Sequence, residues 1–296
     1  MFRAIASRYL PSRDHAIHSS WLVLASLCLG WLAPAATLAQ TVNNGGTLTP
    51  VVASYGAMAV DSSGNIYFPG IKVLEAVLSG DSYTLSTIVP LLYLPMGPTD
   101  GAADAIAVDG SGNIYVTADG HGIFKITPTS SGYSASNVLD IQSVQSIAVD
   151  SSGNLYVATM DGALTKATLS SSGYSQTMID SGFNQAYGLA VDSSDNVYVG
   201  DVGTGKVYKE TLSGGSYTRS SIDTGLSRPY GVALDTSGNV YVSDAISGIL
   251  YEGTPSGTTY TWSTLLAGLT NPIGVGLDGS GNIYINEGNE VLKLTQ

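Results

Sequence analysis

From Met58 onward, apolar and polar positions alternate in short runs closed by Gly, Ser, Asn or Asp. Period-two alternation bounded by turn residues predicts half-buried strands rather than helices. One segment recurs six times: Met58-Ala-Val-Asp-Ser-Ser-Gly-Asn-Ile-Tyr67, then Ile106–Tyr115, Ile147–Tyr156, Leu189–Tyr198, Val232–Tyr241 and Val275–Tyr284. Its aspartates, Asp61, Asp109, Asp150, Asp192, Asp235 and Asp278, are 48, 41, 42, 43 and 43 residues apart. A period near 43 made of short strands is that of a propeller, not a helical solenoid.

Each unit reads as four strands. The innermost is the apolar-Ala-Val run, and the second is Asn-Ile-Tyr-Val. The third is of the type Gly205–Leu212, and the outermost of the type Tyr217–Asp223. The Asp-Ser-Ser-Gly-Asn linker is hairpin chemistry, in which Asp closes a turn on nearby N–H groups and Gly takes the left-handed position. In the fourth unit Asp195 replaces that Gly, and Asp is among the few residues that tolerate such a backbone. Small residues inside the first strand suit a position where sheets converge on an axis. The last unit stops after its third strand, Glu290–Thr295, while Thr47–Ala53 is strand-like and precedes the first unit. The N-terminal run therefore completes the last blade, which removes an open edge. The expected fold is all-β: six four-stranded antiparallel blades in a ring, one domain spanning 40–296.

The N-terminal region has a different pattern. Arg3, Arg8 and Arg13 precede the apolar run Trp21–Leu32, followed by small residues with Thr37 and Ala39 at the −3 and −1 positions. This is the order of a cleavable signal peptide over residues 1–39. The apolar core is shorter than the ~20 residues that span a bilayer. Leu27 before Cys28 disfavours a lipoprotein site, where a small residue is needed. Export to the periplasm, cell surface or medium is expected, with no stable membrane span after cleavage.

Composition sharpens this. Charged residues make up 11% of the 296, yet the net charge is −12. Cleavage would remove Arg3, Arg8, Arg13 and Asp14, leaving 8 basic and 22 acidic residues, net −14. A nucleic-acid partner is excluded, because no positive field exists to displace counterions. Without Cys28 the mature chain has no thiol, and His15 and His18 also leave, so His121 is its one imidazole. A three-nitrogen zinc site cannot be assembled from that.

The sixfold signature, apolar-Ala-Val-Asp-x-x-Gly-Asn-apolar-Tyr-Val, followed in some copies by an acid (Asp201, Asp244, Glu287), resembles NHL repeats. The resemblance covers residues 47–296 and implies a six-bladed propeller serving as a binding or scaffold module. The leading expectation is an exported, monomeric, non-catalytic module for a protein, peptide or glycan, with no cofactor. The same six-bladed group includes lactonases of the gluconolactonase type, so a Ca²⁺-dependent hydrolase is the alternative. A structural cell-surface protein is a third.

In such lactonases oxygen ligands ring the channel mouth. Here Asp119, Asp161, Asp201, Asp244 and Glu287 follow the second strands on the face of the outer-to-inner loops, where three converging carboxylates would hold Ca²⁺. Asp201, Asp244 and Glu287 are the metal candidates. The competing reading is that each acid caps its own turn. His121 is a candidate for ligand contact or general-base work, against an ordinary loop role. Non-repeating loops are further candidates, because repetition signals packing. Leu91–Gly101 presents Tyr93 and Met96, and the equivalent loops carry Asn184–Tyr187, Arg228-Pro-Tyr230 and Asn271-Pro-Ile273. Arg228 would meet an anionic ligand or a neighbouring acid.

Overall fold

A computed structural model describes residues 40–41, 46–53, 56–70, 72–90, 105–118, 121–223 and 225–296. All of these fall within one compact unit, Thr37–Gln296. The signal segment 1–39 lies outside the described residues, as do Tyr93, Met96 and Asp119.

Every described element is a strand, and the strands form six antiparallel sheets. Blade 1 comprises Ala59–Val60, Ile66–Phe68, Lys72–Ser79 and Ser82–Pro90, from the axis outward. Blade 2 comprises Ile106–Val108, Ile114–Ala118, Gly122–Thr129 and Gly132–Leu139, and blade 3 Val144–Val149, Leu155–Thr159, Leu164–Ser170 and Gly173–Asp180. Blade 4 is Ala186–Val191, Val197–Asp201, Lys206–Ser213 and Ser216–Ser221. Blade 5 is Pro229–Leu234, Val240–Asp244, Ile249–Ser256 and Thr259–Ala267. Blade 6 takes Gly274–Leu277, Ile283–Asn286 and Glu290–Thr295 from the C-terminus and Thr47–Ala53 from the N-terminus. Leu48 pairs with Leu294 and Thr49 with Lys293 in that joining ladder, and Gln40–Thr41 adds a short fifth strand. The innermost strands touch in cyclic order, blade 6 returning to blade 1. The fold is a closed six-bladed propeller.

The core lies between blades. Second-strand residues such as Ile66, Ile114, Leu155, Val197, Val240 and Ile283 are fully buried. Each cluster mixes neighbours, as where Tyr67 and Val73 of blade 1 pack on Ile106 and Ile114 of blade 2. Near the axis the sheets leave little room. A Cβ at Gly231 would lie 2.6 Å from the Val275 nitrogen of the next blade, and one at Gly276 2.8 Å from Val60 Cγ2. That closeness explains the small residues of the inner strands.

The repeated aspartates hold the inner hairpins. In each, one carboxylate oxygen accepts two backbone N–H groups, for example those of Ser194 and Asn196 on Asp192 Oδ1 (both 2.9 Å). The other accepts the following Asn amide and the Tyr phenol, here Asn196 Nδ2 at 2.8 Å and Tyr198 Oη at 3.2 Å. Asp195 adopts φ 62°, the left-handed backbone that Gly supplies in the other five copies.

That phenol then ties one blade to the next. Tyr83, on the outermost strand of blade 1, donates to Tyr284 of blade 6, and Tyr260 of blade 5 lies 3.0 Å from Tyr198 of blade 4. Burial first pushes the Tyr67, Tyr198 and Tyr284 phenols far above the ordinary range; next comes the turn carboxylate Asp61 for Tyr67, and the partner tyrosines Tyr260 and Tyr83 for Tyr198 and Tyr284. Opposite Tyr115, Tyr156, Tyr198 and Tyr284 on the third strand sit Lys125, Lys166, Lys209 and Lys293, 4.9–5.5 Å from the ring centroids.

Candidate functional site

The face opposite the Asp turns carries the outer-to-inner loops and the loops after the second strands. On it opens a cavity of about 540 Å³ around the channel axis. Its wall is the beginning of each innermost strand: Met58, Ile106, Gln145, Tyr187, Tyr230 and Ile273 are among the lining residues. This volume lies within the roughly 300–1,000 Å³ of small-molecule sites.

The side chains reach the cavity through a repeated irregularity. The ladder between first and second strands skips one residue between Val144 and Ser146, between Ala186 and Gly188, and between Pro229 and Gly231. The skipped residues are Gln145, Tyr187 and Tyr230. A bulge leaves its extra residue out of the ladder and re-aims its side chain. Ser143 (φ 55°) and Gln185 (φ 69°) precede two of these bulges and are, with Asp195, the non-glycine residues of left-handed backbone among the described residues. Such conformations persist only where the surroundings over-determine them.

Latches from the neighbouring loops supply that determination. Met160 N donates to Ser143 O (2.8 Å), Val202 N to Gln185 O (3.0 Å) and Ala245 N to Arg228 O (3.1 Å). Two buried carboxylates add to them. Asp201 accepts the Asn184 N–H at 2.9 Å, while Asp244 accepts those of Ser227 (2.6 Å) and Arg228 (3.0 Å). Asp244 Oδ1 also accepts Ile246 and Ser247 of its own following turn. In blade 6 Glu287 takes the Thr270 N–H at 2.5 Å, and in blade 3 the exposed Asp161 takes the Thr159 hydroxyl at 2.5 Å, which holds its carboxyl below the ordinary range.

These acids therefore turn toward their own blades. Among the described residues, no three of His, Cys, Asp and Glu come together as a cation site. Asp201, Asp244 and Glu287 do not fit a shared Ca²⁺, because each already satisfies loop N–H groups. His121 sits in a turn where its backbone N–H donates to Ala118 O and its carbonyl accepts Asn137 Nδ2, and it does not line the cavity. Asn271 is exposed on the loop before Ile273. Arg228 is exposed, with its guanidinium 5.2 Å from the Tyr230 ring centroid.

What gathers at the mouth is instead aromatic and apolar. The Tyr187 and Tyr230 rings stack with centroids 5.0 Å apart and planes tilted 31°. Gln145 Oε1 is buried without a hydrogen-bond partner among the described residues. Gln145, Met58 and Met160 carry no motif of their own. Of the three, Gln145 shares a signal with Tyr187, Tyr230 and Ile273: each stands five residues before a turn Asp, at a register where the otherwise regular repeat varies.

No family model matches the chain, and no curated protein matches it by sequence. Solved structures do match its fold. A gluconolactonase from Xanthomonas campestris is 14% identical, with a TM-score of 0.64, 86% of this chain and 91% of that one being covered. A PQQ-bound aldose sugar dehydrogenase from Streptomyces coelicolor is 12% identical, with a TM-score of 0.62 and coverage of 84% and 98%. An auxiliary nutrient binding protein from Bacteroides ovatus is 14% identical, with a TM-score of 0.61 and coverage of 88% and 75%. These likenesses show a shared fold, the six-bladed propeller. The expectation of a non-catalytic module for a protein, peptide or glycan is corrected here, because neighbours of the same architecture include a gluconolactonase and a sugar dehydrogenase. The cavity bears on the protein partner: it is concave and of small-molecule size, whereas a stable protein partner needs roughly 1,200 Å² or more of buried surface.

Proposed function

We propose that the protein is a hydrolase of cyclic esters, working at the channel mouth. The observation that carries this is the 540 Å³ cavity walled by the non-repeating, bulge-directed side chains Gln145, Tyr187 and Tyr230. The gluconolactonase neighbour supports the choice of reaction. In that reaction water adds to the lactone carbonyl carbon, the ring C–O bond breaks, and a hydroxy acid leaves. The stacked phenols orient the ring, and the apolar wall keeps bulk water from the rest of it. The phenols are the one kind of ionisable group among the described lining residues, and we assign them to orientation rather than proton transfer. No step is assigned to a metal. We also read the repeat as NHL-type and residues 1–39 as an export signal, which N-terminal sequencing of the mature protein checks.

The test is acid release from a panel of lactones by the full-length protein, with and without added Ca²⁺. Turnover above the spontaneous rate, lost in the Tyr187→Ala/Tyr230→Ala double variant while the fold persists, is the expected result. A folded protein that opens none of the lactones overturns the reading.

A further inference from the structure

The chemistry of the wall says more about the substrate than the fold does. Ala57, Ala105, Ile106, Val144, Ile147, Leu189, Val232 and Val275 give it an aliphatic lining, and Met58 and Met160 add two adaptable thioethers. Against this stand few polar side-chain groups: the Gln145 amide, the Ser146 hydroxyl and the two phenols. No charged side chain is among the described lining residues. A sugar lactone brings a hydroxyl on nearly every ring carbon, and each one buried without a partner costs affinity. Among the described residues, the side chains of this wall offer those hydroxyls just these four partners.

We infer, resting on the hydrolase reading above, that the mouth selects flat cyclic esters with an apolar or aromatic face over polyhydroxylated sugar lactones. The Tyr187–Tyr230 stack is the platform for that face, since aromatic rings gain from offset or tilted stacking at 4.5–7 Å. Their centroid separation of 5.0 Å lies within that range, and Tyr187 remains 39% exposed, so it has surface to offer a guest. Gln145 is the polar anchor. Its Oε1, buried and without a donor among the described residues, is satisfied by a guest that carries one N–H or O–H at its edge. Tyr187, Tyr230 and Gln145 are thus specificity-determining residues, and a single polar edge beside a flat apolar body is the complementary shape.

Lactams separate this from the question of turnover, because they keep the lactone shape and are not opened. Calorimetric titration of the full-length protein compares the benzo-fused δ-lactam 3,4-dihydroquinolin-2-one with glucono-δ-lactam. The benzo-fused lactam is expected to bind at least about tenfold tighter. The Tyr187→Ala/Tyr230→Ala double variant should lose about tenfold of that affinity, whereas Tyr187→Phe, which keeps the ring, should stay within about twofold. Gln145→Ala should weaken the lactam but leave its N-methyl derivative unchanged. The inference is overturned if glucono-δ-lactam binds as tightly, if the benzo-fused lactam does not bind, or if the double alanine variant binds it unchanged. Tight lactam binding with no opening of any lactone would remove the hydrolase reading and leave the pocket assignment standing. Preferential opening of sugar lactones would do the reverse.

Discussion

A single aspartate illustrates how this chain folds. Asp192 accepts four hydrogen bonds within seven residues, two from backbone N–H groups, one from the Asn196 amide and one from the Tyr198 phenol. Asp192→Ala removes both acceptor oxygens, and with them all four bonds, and leaves the nearly buried phenol short of one. A loss of about 2–3 kcal/mol is expected in urea denaturation, with Asp192→Asn recovering part of it. A change below about 0.5 kcal/mol would show that the turn holds without its carboxylate. The turn was legible in the sequence, because its backbone donors lie within four positions, but the Asn amide and the Tyr phenol on the second oxygen were not read from it. Asp201 and Asp244 were legible only as acids at strand ends. Whether such a carboxylate points to the axis or folds onto a loop depends on N–H groups 16 or 17 residues earlier in the chain, at Asn184, Ser227 and Arg228. No local pattern reports that.

Between elements, the junction of blades 3 and 4 carries the most concentrated charge. Glu210 on the third strand of blade 4 is fully buried and meets Arg219 Nε at 2.9 Å. Arg219 also pairs with Asp180 (2.8 Å) and donates to Ser181 O (2.8 Å), while its guanidinium lies 3.8 Å from the Phe183 ring centroid. Burial holds the Glu210 carboxyl above the ordinary 4.5, opposed by Arg219. A raised folded-state value means that the native protein keeps this proton to higher pH than the unfolded chain. The ionised carboxylate therefore costs stability above its folded value, and the cost disappears as pH falls through it. Arg219→Ala exposes that cost. It should destabilise by about 3 kcal/mol at neutral pH, and the deficit should shrink on acidification toward 4.5. Denaturation curves across that range check it, and a deficit independent of pH would show that packing on Phe183, not charge, is the main effect. The sequence marked Glu210 and Arg219 only as strand residues. Their pairing depends on the cross-strand register, which sets Glu210 opposite Arg219.

For the whole molecule, closure is the decisive feature. Thr47–Ala53 pairs with Glu290–Thr295, so chain termini some 240 residues apart share one sheet, and the ring has no open side. Deleting residues 40–53 leaves Glu290–Thr295 as a bare edge and uncovers Leu292 and Leu294. The truncated protein is expected to lose cooperative unfolding and to self-associate, as an unprotected edge strand does. Size-exclusion chromatography with thermal melts reads both effects, and a monomer with unchanged melting would refute the closing role. This architecture was legible because the repeat counts its own blades, and an unfinished last unit requires a strand from elsewhere. The chemistry of the mouth was less so. Tyr230 and the loop ending at Tyr187 stood out as non-repeating, but Gln145, Met58 and Met160 became visible only once the bulges had aimed them at one volume.

The bulges also separate two burdens that most sites combine. Gln145, Tyr187 and Tyr230 stand out of the ladder, while the turns that secure each blade lie on the far face. Variation at the mouth is therefore insulated from the folding of the ring. A change of one side chain at each of these three bulges alters what the mouth offers a guest without touching the turns that hold the scaffold.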